Sequence, residues 1–199
     1  MNKAEYQNLF IVPVCKVDLV SIDNLKLKEY AFKLRKNQSG RTMSNVGGWQ
    51  SNNVNLKAKE TKELFSSIET YANEYKDKLG FNKDISIKIG DAWININGFK
   101  DYNSNHIHPN CLLSGVYYIQ SDKNSGDIVF QHPASVLMSY DWQFILKDKN
   151  VNECSSNSWW LPSKPQKLYL FPSWLHHSVK PNLNTNFERI SISFNLILK

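Results

Sequence analysis

The hydrophobic period of the sequence changes at residue 85, and this change constrains the fold of the 199-residue chain more than any other feature. From there onward, segments such as ISIKIG (85–90) and AWININGF (92–99) alternate as strands do, because successive side chains of a strand point to opposite faces. The tryptophan and asparagines of the second segment therefore share one face, and its isoleucines share the other. Residues 85–199 are predicted to form a core of short strands separated by turns.

The chain before residue 85 shows helical periodicity instead. Apolar residues recur at three- and four-residue steps over residues 57–79, and Gly80 stands where a glycine often ends a helix. Ser21 is positioned to cap an earlier helix over about residues 22–36. The buried positions of that helix are predicted to include Leu25, Phe32 and Leu34. Helices followed by many strands indicate an α+β fold that is mainly β, a sandwich or a barrel.

Other segments have a less regular pattern. Leu9 to Val20 is apolar and β-branched but contains Pro13, which predicts a strand at a sheet edge. Residues 37–51 form a Gly-, Ser- and Asn-rich loop around Trp49, which we expect to pack as a lid or plug rather than to contact substrate. Residues 134–165 have no clear period, and we interpret them as an irregular lid or insertion on the substrate side.

Composition and charge limit the classes of protein that the chain can belong to. We expect one domain, in which residues 1–84 supply an N-terminal strand and helices and residues 85–199 supply the β core. No apolar run is long enough to cross a membrane, no secretory leader is evident, and three cysteines without CxxC spacing predict free thiols, so we expect a cytoplasmic protein. The net charge of +6 divides into +5 for residues 1–100 and +1 for residues 101–199. Because the excess is spread over single lysines, a solvated surface is favoured over nucleic-acid binding.

The histidines are confined to a short part of the sequence. All five lie between positions 106 and 177, and four of them occur as two pairs. His106 and His108 are one residue apart, so in an extended segment both imidazoles point to the same side. His176 and His177 follow an apolar strand, and only one of them can face inward there. An isolated HxH pair is more often a surface feature, but the second pair favours a metal held between the two places.

Arg189 is the other candidate functional residue that the pattern singles out. Only three of the 24 basic residues are arginine, and this one lies at the start of RISISF (189–194), a segment that reads as a buried strand. Ser191 and Ser193 share its face of the strand. A guanidinium at such a place offers a fixed fork for a carboxylate. The alternative is a structural salt bridge, for instance with Glu188.

Five motifs occur in order along most of the chain. They are GGWQS (47–51), WININ (93–97), HIHPNCLLSGVYY (106–118), FPSWLHHSVKPN (171–182) and RISISFN (189–195). Together they resemble the Fe(II)- and 2-oxoglutarate-dependent dioxygenases and, more narrowly, a family of 2-oxoglutarate/Fe(II) oxygenases reported from bacteria and phages. Each motif alone is weak, but the ordered set is fairly specific.

The resemblance implies a double-stranded β-helix, the jelly-roll or cupin-like barrel, with supporting N-terminal helices. It also implies Fe(II) as the metal and 2-oxoglutarate as the cosubstrate. The HxVxP match selects His177 rather than His176 as the distal metal ligand, beside His106 and His108.

One position departs from the usual pattern of that superfamily. Two histidines and one carboxylate ordinarily bind the iron, and His108 occupies the place of the carboxylate. Either three histidines hold the metal, which we prefer, or one histidine of the HxH pair does not ligate and a carboxylate such as Asp127 or Asp101 replaces it. Three neutral ligands would raise the net charge at the metal and leave open a metal other than iron.

The resemblance also implies a role for the residues around Arg189. That guanidinium falls where the family binds the distal carboxylate of 2-oxoglutarate, and Ser191 and Tyr118 are further candidates for the same group. The expected activity is hydroxylation of an unactivated C–H bond, with release of succinate and CO2. The substrate is expected to be a protein side chain or a small molecule; a nucleic acid is possible but not favoured.

Two other functions compete with this one. The first is a three-histidine, cupin-like metal dioxygenase that does not use 2-oxoglutarate, in which Arg189 would anchor a substrate carboxylate. The second is a non-catalytic jelly-roll binding or assembly module that retains the pocket. Residues expected to form pocket walls are Tyr102, Asn110, Trp93 and Trp174, although core packing is the more common role of a tryptophan.

Overall fold

Two antiparallel sheets form the core of the computed structural model, which describes residues 3–141 and 152–199. The six-stranded major sheet has the order β1-β9-β6-β11-β4-β3, and the five-stranded minor sheet has the order β2-β5-β10-β7-β8. The major-sheet strands are β1 (Cys15–Asp18), β3 (Trp49–Gln50), β4 (Ile87–Asn97), β6 (Leu113–Gln120), β9 (Lys167–Pro172) and β11 (Arg189–Leu198). The minor-sheet strands are β2 (Asn45–Val46), β5 (Tyr102–His106), β7 (Ile128–Gln131), β8 (Ser158–Leu161) and β10 (His177–Val179). From β4 to β7 the chain crosses between the sheets at each connection, and it does so again from β8 to β11.

The two faces of the major sheet bury different sets of residues. One face packs against the helices in an apolar cluster that includes Ile94, Ile96 and Ile192. The other face meets the minor sheet, where Tyr118 and Phe171 pack with residues of β7 in a second cluster. Strand alternation therefore sends the isoleucines of β4 and β11 toward the helices and their polar residues toward the space between the sheets, as the sequence predicts. Each buried aliphatic side chain stabilises the fold by about 1.5–3 kcal/mol.

The helices begin later than predicted. Helix α1 (Asn24–Asn37) starts after Asp23, whose carboxylate accepts hydrogen bonds from the backbone amides of Leu25 and Lys26. The predicted Ser21 cap is therefore wrong. Leu25, predicted to be buried, is 74% exposed, because the face that packs on the sheet carries Leu27 and Ala31, four residues apart. Helix α2 (Lys62–Lys78) occupies the second part of the predicted range of residues 57–79.

Other local predictions are confirmed in part. Gly80 has φ +76° after α2, as a terminating glycine should. Strand β1 lies at the edge of the major sheet, although it covers only the last part of the predicted Leu9–Val20 strand. Trp49 packs against the helix-side cluster and donates through Nε1 to the Gln38 carbonyl, which agrees with a packing role. The three cysteines are free. In the described residues, no helix is long and apolar enough to cross a membrane.

The segment predicted to be irregular contains regular structure at both ends. Helix α3 (Ser135–Asp141) follows β7, and β8 pairs with β7 in antiparallel register. Trp159 and Trp160 thus lie in an edge strand of the minor sheet, and the irregular interpretation of residues 134–165 is wrong there. Because two tryptophans stand next to each other in the sequence, the alternation of polar and apolar residues that would have predicted this strand is hidden. Trp142 lies outside the described residues.

Candidate active site

Three histidines from separate parts of the chain converge between the two sheets. His106 ends β5, and His177 begins β10 directly opposite it in the antiparallel register. His108 follows β5, and its backbone amide donates to the Ser173 carbonyl at 2.9 Å. The ring centroids of His106 and His177 are 4.3 Å apart, and each lies 5.0 Å from the ring of His108. One candidate ligand atom from each ring lies within 4.8 Å of the others.

The hydrogen bonds of the three rings orient one nitrogen of each toward the shared centre. Nδ1 of His106 lies 2.7 Å from the Ser104 carbonyl, and Nδ1 of His177 lies 2.9 Å from the Leu175 carbonyl. Nδ1 of His108 lies 2.6 Å from Oδ1 of Asn195. Each of these oxygens can only accept, so each Nδ1 carries the proton. In the neutral ring, Nε2 is then left as an unprotonated ligand atom.

Burial keeps the three imidazoles neutral. Loss of solvation lowers the pKa of His108 to about 4 and that of His177 to about 3, and it also lowers the pKa of His106. The Nε2 atoms of His106 and His108 are 3.2 Å apart. Two unprotonated nitrogens at that separation repel each other unless a cation lies between them. Metal–imidazole bonds of about 2.0–2.1 Å place neighbouring ligands at a similar separation, so the cluster fits a metal ion.

Neither carboxylate considered as a replacement ligand joins this cluster. Oδ2 of Asp101 accepts the Gly98 amide at 2.7 Å, and Asp127 lies 3.7 Å from the ammonium of Lys180. In the described residues, the candidate metal cluster consists of the three histidines alone. His176, the neighbour of His177, is exposed, so only one histidine of that pair faces inward, as expected from strand alternation.

Arg189 lies in the same cavity and has an unused donor. The side chain is 1% exposed, and its Nη1 donates to the carbonyls of Ser125 and Lys180. Among the described residues, neither its buried Nη2 nor the buried hydroxyl of Tyr118 has a hydrogen-bond partner. The alternative salt bridge with Glu188 is not formed, because Glu188 accepts from Arg35 at 2.5 Å.

Burial also determines the protonation of this donor pair. It raises the pKa of Tyr118, so the phenol remains protonated and able to donate. It lowers the pKa of Arg189, because a buried cation without an anionic partner is costly. A buried guanidinium and a phenol that both lack an acceptor are therefore matched to a carboxylate.

A cavity of about 40 Å³ connects these groups. Its polar wall follows from strand alternation: Tyr118, Ser191 and Asn95 lie in register across β6, β11 and β4. Asn95 donates to Ser193 Oγ at 3.1 Å and retains an unpaired buried carbonyl oxygen. The complete lining comprises Ser44, Trp93, Asn95, Asn103, His106, His108, Gly115, Val116, Tyr118, Ile128, Phe171, His177, Val179, Arg189, Ser191 and Ser193.

The predicted pocket walls are correct for one residue of four. Trp93 lines the cavity, and its ring stacks on His108 with 5.6 Å between centroids. Tyr102, Asn110 and Trp174 do not line it; the last is 52% exposed in the turn between β9 and β10.

Sequence reasoning missed Asn195, the hydrogen-bond acceptor of His108. Oδ1 of Asn195 also accepts from the Ser114 hydroxyl at 3.0 Å. Asn195 continues the face of β11 that carries Arg189, Ser191 and Ser193. Extending the alternation by two residues would therefore have placed it beside the site.

Residues 91–195 match the model of the family described as "Putative 2OG-Fe(II) oxygenase". This match covers more than half of the chain, and the chain belongs to that family. Enzymes of this family use Fe(II) and 2-oxoglutarate, so the protein is a 2-oxoglutarate-dependent oxygenase. The resemblance inferred from the five sequence motifs is confirmed at the level of the family. Curated proteins gave no significant match.

Solved structures with the same fold include several oxygenases. A Pseudomonas putida prolyl-4-hydroxylase aligns with a TM-score of 0.59 and 12% identity over 92% of both chains. A Trichoplax adhaerens prolyl hydroxylase, in complex with a hypoxia inducible factor peptide fragment, aligns with a TM-score of 0.65 and 15% sequence identity. The alignment covers 92% of this chain and 83% of that one. The α-ketoglutarate-dependent epimerase SnoN of nogalamycin biosynthesis aligns with a TM-score of 0.67 and 9% sequence identity, over 94% of this chain and 76% of that one. These likenesses confirm the predicted jelly-roll fold.

Proposed function

We propose that His106, His108 and His177 bind Fe(II) through their Nε2 atoms and that Arg189 binds 2-oxoglutarate beside them. The protein would then hydroxylate a C–H bond of a protein side chain or a small molecule, with release of succinate and CO2. The observation that carries this proposal is the convergence of three neutral imidazoles next to a buried guanidinium nitrogen that has no acceptor within residues 3–141 and 152–199.

The histidine cluster suits iron because of its donor set. Imidazole nitrogen is a good ligand for Fe(II), and three ligands from neighbouring strands leave other coordination positions free. Each ring is fixed by its Nδ1 hydrogen bond, so little reorganisation is needed when the metal binds.

The second half of the site suits the far carboxylate of 2-oxoglutarate. Nη2 of Arg189 and the hydroxyl of Tyr118 are buried donors that find no acceptor in the described part of the chain, and Ser191 lies beside Tyr118 in the strand register. A carboxylate bound there would give both donors an acceptor and the guanidinium a counter-charge. The contacts of Nη1 with two backbone carbonyls hold the guanidinium in place.

When bound, Fe(II) and 2-oxoglutarate would supply the oxidising chemistry with O2 as the oxidant, in which one oxygen atom enters succinate as CO2 is released and the other is transferred to the substrate. The side chains of the protein bind and orient the metal and the cosubstrate, and they exclude water from the site. Phe171, Ile128 and Val179 belong to the apolar part of the lining, which limits the access of solvent to the histidines. The fold accommodates a peptide in the Trichoplax protein, and the SnoN epimerase belongs to nogalamycin biosynthesis, so both substrate classes remain in the proposal.

Anaerobic titration with Fe(II) and 2-oxoglutarate tests this assignment. We expect the weak visible charge-transfer band of the metal-bound keto acid in the wild-type protein. Arg189→Gln should weaken 2-oxoglutarate binding by about ten- to a hundredfold, since a hydrogen bond to a charged group contributes about 1.5–3 kcal/mol. Tyr118→Phe removes only the unpaired hydroxyl and should cost tenfold or less, which provides a milder variant in case the first does not fold.

Two outcomes would contradict the proposal in different ways. A band that Arg189→Gln gives at unchanged 2-oxoglutarate affinity would remove Arg189 from its assigned role. Oxygen uptake that does not depend on 2-oxoglutarate would instead favour the three-histidine dioxygenase that uses no keto acid.

A further inference from the structure

Arg41 differs from the other two arginines of the chain because its side chain has no polar partner among the residues that the structure describes. Arg35 pairs with Glu188, and Arg189 donates to two backbone carbonyls. Within residues 3–141 and 152–199, no hydrogen bond and no ion pair reaches the guanidinium of Arg41. The chain uses lysine for most of its positive charges, so an arginine of this kind is a candidate for binding a ligand.

The guanidinium lies next to the candidate active site. Its Cζ is 5.8 Å from the ring centroid of Trp93, which lines the cavity and stacks on His108. The backbone of Arg41 is fixed by a hydrogen bond from its amide to the Gln50 carbonyl at 2.9 Å. Ser44, three residues further on, lines the same cavity. The main chain of Arg41 is therefore anchored to β3, and its guanidinium contacts the Trp93 ring.

Only part of this guanidinium is covered by the protein. Nε is buried and has no acceptor among the described residues, but the two terminal nitrogens are not enclosed in this way. The terminal N–H groups thus remain able to donate to an incoming group, and their planar geometry suits the two oxygens of a carboxylate or a phosphate. Contact with the face of Trp93 favours the cation at this place without satisfying any of its donors.

Arg41 and Arg189 serve opposite ends of the site. Arg189 lies opposite Asn97 in the β4–β11 register, and Trp93 lies four residues before Asn97 on β4. Four residues of a strand span about 13 Å. An anion held by Arg189 therefore leaves the guanidinium beside Trp93 free for a second molecule.

We infer that Arg41 and Trp93 form a subsite for an oxyanion of the primary substrate, a carboxylate or a phosphate close to the C–H bond that is oxidised. The role of this substrate rests on the proposed function, but the binding of an anion by Arg41 can be measured without iron. The subsite would select acidic substrates over their neutral analogues.

The side-chain Nε–H resonances of arginine test the inference directly, because the chain has only three arginines. Arg35→Lys and Arg41→Lys variants assign the three signals. The protein is titrated with acetate, with inorganic phosphate and with neutral acetamide, at constant ionic strength and in the presence and absence of 2-oxoglutarate. We expect the Arg41 signal to shift saturably with at least one anion and not with acetamide. The anion that saturates it at the lower concentration identifies the oxyanion class.

Arg35 is the matched control, since its guanidinium already has a carboxylate partner. An Arg41 signal that moves no more than the Arg35 signal in both anions would overturn the subsite. This result is distinct from failure of the proposed function, which appears as the absence of the iron–2-oxoglutarate band.

Turnover gives a second, independent measurement. Carboxylic acids and their amides are compared as matched pairs for their ability to stimulate succinate formation. For any acid that stimulates, Arg41→Gln should lower kcat/KM by about ten- to a hundredfold at unchanged 2-oxoglutarate affinity, whereas Arg35→Gln should have little effect. Equal stimulation by acids and amides in the wild-type protein would contradict the inference.

Discussion

Asn195→Ala is the change that most directly tests how His108 is held. Oδ1 of Asn195 accepts the Nδ1 proton of His108 at 2.6 Å and the hydroxyl proton of Ser114 at 3.0 Å. Removing this acceptor leaves the buried Nδ1–H of His108 without a partner, so the ring can rotate or place its proton on Nε2. A ring with its proton on Nε2 cannot donate a lone pair to the metal from that atom.

The expected loss of metal affinity follows from this contact. Leaving a buried donor unsatisfied costs about 1–3 kcal/mol. The loss falls on the orientation of the ring for metal binding. We therefore expect the dissociation constant for Fe(II) to rise about ten- to a hundredfold, which is the range found when outer hydrogen-bond partners of metal ligands are removed. Ser114→Ala removes a donor that does not touch the ring and should change the affinity much less.

Two measurements separate positioning from a general structural role. The Fe(II) affinity is measured anaerobically by chelator competition, and the tautomer of each histidine is measured by 15N NMR in the metal-free protein. Asn195→Ala should shift His108 alone away from the Nδ1–H form, and Asn195→Asp should keep that form because a carboxylate is a stronger acceptor. Wild-type affinity together with an unchanged tautomer in Asn195→Ala would refute the assignment of His108 as an oriented ligand.

Three further predictions concern the metal and the core. Saturating metal at a hundred times its dissociation constant should stabilise the protein by about 2.7 kcal/mol, seen as a rise in Tm that a chelator reverses and that His177→Ala abolishes. His108→Asp should retain more Fe(II) affinity than His108→Ala in the same chelator assay, because a carboxylate can replace an imidazole as a ligand; equal loss in both variants would argue against ligation at this position. Gly115→Ala should lower the free energy of unfolding by about 1–3 kcal/mol, measured by urea denaturation. The reason is that the added Cβ would lie 2.6 Å from the Tyr169 carbonyl oxygen. Unchanged stability would mean that β6 and β9 can separate there.

Strand periodicity was sufficient to predict the face on which Arg189 and Ser191 lie, because side chains of a regular strand must alternate. The same argument predicted that one of His176 and His177 faces inward. The helix starts were less predictable, since Ser21 and Asp23 are both residue types that cap helices, and the hydrogen bonds in the structure show that Asp23 does so.

Long-range register could not be predicted in the same way. The proximity of His106 and His177 depends on the β5–β10 pairing, and the position of Arg41 beside Trp93 depends on where the loop of residues 37–51 folds. Neither follows from local propensity, because both result from contacts between residues far apart in the sequence. The two histidine pairs and the family resemblance together predicted the first of these contacts, and only the structure shows the second.

The three-histidine cluster and Arg41 are connected by their charges. In the usual arrangement, a ligand carboxylate, the dianionic 2-oxoglutarate and its arginine together balance a divalent metal. Replacement of that carboxylate by the neutral His108 leaves one positive charge uncompensated, and Arg41 adds another beside Trp93. Since unpaired charges in a partly buried site are costly, an acidic substrate would be stabilised there more than in a site of the usual composition. On this argument, His108→Asp should weaken the binding of an acidic substrate while Arg41 is intact, and it should do so less in an Arg41→Gln background.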